Sequence, residues 1–145
     1  MHIRSLGMVY IFAAMTLAGW ASAREDQPKK QTDEDINKLL VGKWIIDEGD
    51  GEKEPKIKGS VTYKKDNKVE LEATLDFGKD SLKIFLEGTW KVKDGVIIAT
   101  VTKTSHPELI KEGHVSKDKL ISVTDKELKY KDEMGKEKLH KRMKD

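Results

Sequence analysis

The chain has 145 residues, with 28 Lys and Arg against 26 Asp and Glu, no Cys, three Pro and a formal charge of +2. That length holds one modest domain and excludes a large two-domain enzyme. Without a thiolate there is no disulfide scaffold and no Cys-ligated zinc or iron–sulfur site, and the near-balanced charge argues against nucleic acid as a partner.

Residues 1–23 read as a secretory signal. Arg4 supplies the positive start, Leu6 to Gly19 forms an apolar run of 14 residues, and Ala21-Ser22-Ala23 offers a small-x-small cleavage site. A membrane-spanning helix needs about 20 apolar residues. The shorter run, halted by Arg24-Glu25-Asp26, is therefore expected to be cleaved and not to span a membrane. The expected location is periplasmic or extracellular. Cleavage after Ala23 leaves 122 residues, 27 of them basic and 26 acidic. Six aromatics stay: Trp44, Tyr63, Phe77, Phe85, Trp90 and Tyr130.

Residues 24–32 read as a flexible leader and 33–145 as the folded domain. Thr32 is placed to cap a short helix whose first turn is Asp33, Glu34 and Asp35, with Ile36, Leu39 and Leu40 on one apolar stripe. Gly42 ends it. From Trp44 onward the signal is strand. Trp44 to Asp47 opens the first strand, and the Gly49/Gly51/Pro55 segment breaks it. Ile57, Gly59, Val61 and Tyr63 then alternate with polar residues, as do Val69, Leu71, Ala73 and Leu75 after a turn at Asp66-Asn67. A longer strand sets Leu82, Ile84, Leu86, Gly88, Trp90 and Val92 on one face, opposite Lys83, Phe85 and Glu87. Asp94-Gly95 is a two-residue hairpin signal, followed by the β-branched Val96–Thr102. Residues 105–118 break the pattern, with a helical turn expected between Ser105 and Gly113. Strand signals resume at 119–123, 127–132 and 136–142. Eight short strands joined by tight turns predict an all-β, antiparallel up-and-down barrel with a short N-terminal helix, closed or half-open. An outer-membrane barrel is not expected. Its lipid-facing strands would need about 10 residues and two aromatic girdles, whereas 136–142 offers only Leu139 and six aromatics cannot make two girdles.

Gly42-Lys43-Trp44, after a short helix and at the start of the first strand, resembles the Gly-x-Trp opening of lipocalins. The stretches Leu86-Glu87-Gly88-Thr89-Trp90-Lys91-Val92 and Ile121-Ser122-Val123-Thr124-Asp125-Lys126-Glu127-Leu128 are similar to segments of small exported bacterial lipocalin-like, calycin-type domains. The likeness runs from about Leu39 to Met143. It implies an eight-stranded barrel in which Gly42 and Trp44 form the structural motif at the closed end. Arg142 is the one residue placed to cover that Trp. A clear second motif with an aromatic and the usual C-terminal helix are missing from this chain.

The chemistry-bearing residues give no recognisable enzyme. His106 and His114 bracket the long loop with Glu108 and Glu112 between them, a spacing that matches no familiar metal-ligand motif. Ser105 beside His106 is a sequence neighbour, which says nothing of triad geometry, and no Gly-x-Ser-x-Gly elbow exists. Asp47-Glu48 and Glu52/Glu54 sit by a Gly-rich loop and read as solvated. The lysines of 58–68 and 136–142 are interleaved with carboxylates, which favours solubility over polyanion binding. No catalytic residue, metal or cofactor is therefore expected.

Binding remains. The predicted inner face makes Tyr63, Leu71, Leu75, Ile84, Leu86, Trp90 and Tyr130 candidate pocket residues, with the two phenols as polar handles. The expectation is an exported, monomeric, non-enzymatic lipocalin-like protein holding a small apolar or amphipathic ligand. The alternative is an envelope protein-interaction module with a filled core, acting through its outer surface or the 105–118 loop, where Leu109-Ile110 is apolar. Alternation alone does not separate a lined pocket from a filled core.

Overall fold

The computed structural model describes residues 30–144; the expected signal segment and all but the end of the leader lie outside them. One helix, α1 (Asp33–Leu40), precedes eight strands: β1 (Gly42–Glu48), β2 (Lys56–Tyr63), β3 (Lys68–Asp76), β4 (Ser81–Lys93), β5 (Val96–Thr104), β6 (Val115–Val123), β7 (Glu127–Lys131) and β8 (Glu137–Arg142). Each strand pairs antiparallel with the next, and β8 returns to β1, giving the closed up-and-down barrel that the alternation predicts.

Local chemistry explains the joints. Thr32 accepts from the Asp35 N–H while the Asp35 carboxylate reaches back to Thr32, so two otherwise unpaired donors of the first turn are satisfied. Asp94 (φ 52°) and Gly95 (φ 73°) both adopt left-handed backbone, as a two-residue hairpin with the right twist requires. Their N–H groups are in turn capped by the Asp33 carboxylate at 2.8 and 2.9 Å, which ties α1 to the β4–β5 turn. Gln31 bonds both backbone groups of Val123. The last two residues of the expected leader thus belong to the domain.

The antiparallel meander places α1 and the 64–67, 94–95 and 124–126 turns at one end. The loops 49–55, 77–80, 105–114 and 132–136 lie at the other. The first end is filled: Leu40, Trp44, Ile97, Val123 and Leu128 are fully buried there. The helix ends at Leu40 with Val41 as its cap, so Gly42 opens β1 instead of closing α1.

Two segments differ from the pattern reading. β6 begins at Val115 and not at Lys119, because its first inward positions are Ser116 and Asp118, which carry no apolar signal. The helical turn expected at Ser105 is a single turn, in which the N–H groups of Leu109 and Ile110 share the His106 carbonyl; Ser105 itself accepts from the Phe85 N–H.

The closure is uneven. β1 and β2 are in register over seven residue pairs, from Gly42↔Tyr63 to Glu48↔Ile57. β1 and β8 share two, Trp44↔Arg142 and Ile45↔Lys141. Toward the loop end the two strands are bridged by side chains instead of a ladder.

Candidate functional site

A cavity of about 390 Å³ occupies the barrel interior on the loop side of the filled end. That lies within the usual range for small-molecule sites, roughly 300–1,000 Å³. One wall is apolar and comes from β2 to β5: Ile57, Val61, Leu71, Leu75, Ile84 and Leu86 face it, with Val69, Ala73, Ala99 and Val101 between them. The opposite wall is polar and comes from β1, β6, β7 and β8: Glu48, Ser116, Asp118, Tyr130 and His140. Ile110 and His114, from the 105–114 loop, complete the lining, so half of the loop's apolar pair belongs to the cavity while Leu109 stays exposed.

Of the seven pocket candidates, Tyr63, Leu71, Leu75, Ile84, Leu86 and Tyr130 line this cavity, and Trp90 does not. Trp90 is 3 % exposed, donates through Nε1 to the Lys64 carbonyl at 3.1 Å and meets Tyr63 edge to face at 5.4 Å. It sits below the cavity, backing Tyr63, because β4 runs from the 77–80 loop into the filled end, whose buried cluster includes Trp90. Glu87, assigned by alternation to the outer face, joins the lining next to the β4–β5 irregularity at Glu87/Gly88.

Gly42, Trp44 and Arg142 meet at the closed end. The Arg142 guanidinium lies 4.2 Å over the Trp44 ring and donates to the carbonyls of Val41 and Asp125 at 2.8 Å each and to that of Leu39. Gly42 (φ 140°) is required there, since a Cβ on it would lie 2.2 Å from Arg142 Nη1. These residues build the closed end and take no part in the cavity.

Glu48, read from the sequence as solvated, is instead turned inward with its side chain 16 % exposed, and Lys138, His140 and Asp118 beside it carry no apolar signal. Glu48 bridges β1 to β8, accepting from His140 Nε2 at 2.7 Å and from Lys138 Nζ. Burial alone would push the Glu48 carboxyl up, but the hydrogen bonds from His140 and Lys138, with Lys138's charge, outweigh it and hold it at about 2. A signal for this cluster was available. Side chains alternate along a strand, so an inward Trp44 puts Glu48 inside, and an inward Arg142 does the same for His140 and Lys138.

Asp118 has the opposite character. Burial, then the neighbouring charges of Asp132, Glu133 and Glu48, push its carboxyl up to about 6 from the ordinary 3.8, against the pull of His140. A carboxyl raised in the folded state is a stability cost that appears as pH climbs through that range. Discounted for solvent screening, the shift is worth about 1–2 kcal/mol. Asp118→Asn is accordingly expected to stabilise the protein by about that much at pH 7.5 and by almost nothing at pH 4. Urea unfolding at the two pH values checks it; an equal gain at both would contradict the assignment.

No protein-family model matches the chain, and no curated protein sequence matches it.

Proposed function

We propose that this is an exported, non-enzymatic, lipocalin-like barrel that binds a small apolar or amphipathic ligand. The observation that carries the reading is the 390 Å³ cavity inside a closed eight-stranded barrel, apolar on one wall and polar on the other. A filled core would leave no such space, since well-packed interiors hold few voids larger than a water molecule. The lipocalin-like part of the reading is supported by Gly42, Trp44 and Arg142 at the closed end. Export is supported by the composition of residues 1–23.

Native mass spectrometry on protein exported by its own signal is the test. The expected result is a discrete mass increment that an organic solvent extracts. Leu86→Trp, which puts a larger side chain on the apolar wall, is expected to weaken retention of that mass at least tenfold while the barrel still folds. A protein of apo mass, unchanged after incubation with envelope lipid extract, would overturn the proposal.

A further inference from the structure

The proposed ligand site has a chemical polarity of its own. Three carboxylate-bearing residues, Glu48, Glu87 and Asp118, lie in the cavity lining, and no Lys or Arg does. The one lysine close to that wall, Lys138, is already engaged by Glu48. A fatty acid or other anionic amphiphile entering this space would meet no fixed cation and several like charges.

Two polar groups on the lining are left without partners. The Asp118 carboxylate has no ion pair among the described residues. The His140 ring, 4 % exposed, leaves Nδ1 buried with no hydrogen bond. Buried polar groups normally find partners, and each that does not costs stability. The partner that the carboxylate lacks can be deduced. Glu48 is ionised and can only accept, so the proton between Glu48 and His140 belongs to Nε2, and His140 is committed to Glu48. Asp118 is therefore an acceptor with a negative charge and no cation paired to it among the described residues.

An ammonium group is the complement, since it offers only donors and a positive charge. Tyr63 and Tyr130 line the same cavity, and aromatic rings stabilise a cation placed over them. We infer that the cavity takes a cationic amphiphile, an alkyl- or arylammonium whose head is held by Asp118 beside His140 and whose tail lies on Leu71, Leu75, Ile84 and Leu86. This rests on the ligand-binding reading given above and narrows it to one class of head group.

The test uses three probes with one tail: octylammonium, octan-1-ol and octanoate, titrated calorimetrically into the protein at pH 7.5. Octylammonium is expected to bind at least tenfold more tightly than octanol, the worth of one charge-assisted hydrogen bond, with octanoate weakest. In Asp118→Asn the ratio of octylammonium to octanol affinity is expected to fall to about one. Asp118→Glu, which keeps the charge, should keep most of the ratio and controls for any disturbance of the fold. No ammonium preference in the unaltered protein, or a preference that survives Asp118→Asn, overturns the head-group assignment. If octanol or octanoate still binds in that case, the ligand-binding reading survives without it. If none of the three binds at millimolar concentration, both fall.

Discussion

Trp44→Ala is expected to destabilise the protein by about 3–5 kcal/mol, the range for deleting a large buried aromatic. Trp44 is 0 % exposed, at the centre of the layer formed by Leu40, Ile97, Val123 and Leu128. Truncation would leave a void bounded by β1, the helix and the far strands, which the hydrogen-bonded ladder prevents from collapsing. Two further losses add to the cavity. The carbonyl of Leu40, the last residue of α1 and without a helical donor of its own, gives up its 2.9 Å bond from Trp44 Nε1. The Arg142 guanidinium loses the ring beneath it while still held by three carbonyls. Chemical denaturation at pH 7 is the measurement, and a change below about 1 kcal/mol would refute the place of Trp44 in the barrel floor. Trp44→Phe separates the parts: it keeps most of the volume but cannot donate to Leu40, so a smaller loss is expected, near the cost of one buried unsatisfied acceptor, about 1–3 kcal/mol.

The contrast between Trp44 and Trp90 shows what the sequence could and could not convey. Both follow Gly-x, both sit on inward positions and both are buried. Alternation fixes the face of a strand but carries no coordinate along the barrel axis, so Trp90 read as pocket although it lies in the filled end. Depth depends on how far along its strand a residue sits from the filled end, and a two-residue period does not record that distance. Turn chemistry was far more legible, because Asp94-Gly95 encodes its own backbone geometry. The polar wall was hidden for a different reason. On β8 the apolar residue, Leu139, is 45 % exposed and its polar neighbours turn inward, the reverse of the rule by which inner faces are found. On β6 the same inversion puts Asp118 inside and Ile121 out. Binary patterning finds cores. It is blind to a wall built by turning polar residues inward, as Glu48, Asp118 and His140 are here.

Replacing Glu48 with Ala is expected to cost about 3 kcal/mol near pH 7, the low end for breaking one partner out of a buried charged cluster. The residue left behind is the reason. Lys138 and His140 have side chains 18 % and 4 % exposed, and both lose their acceptor together. The position adds to the loss, because Glu48 spans the seam beyond the two ladder pairs that β1 and β8 share. The pH dependence identifies the cause. A carboxyl held at about 2 against an ordinary 4.5 contributes stability that is present in full above 4.5 and lost as pH falls through 2. After discounting for screening this is about 2 kcal/mol. Asp118 works in the other direction, its cost disappearing as pH falls through about 6. Together the two groups place a stability maximum between about pH 4 and 5. In Glu48→Ala the loss on the acid side should vanish while the Asp118 limb between pH 7 and 5 persists. Unfolding free energies from pH 2.5 to 8 on both proteins decide it. An acid limb of undiminished depth in the variant would show that the seam is held by something other than the Glu48 carboxylate.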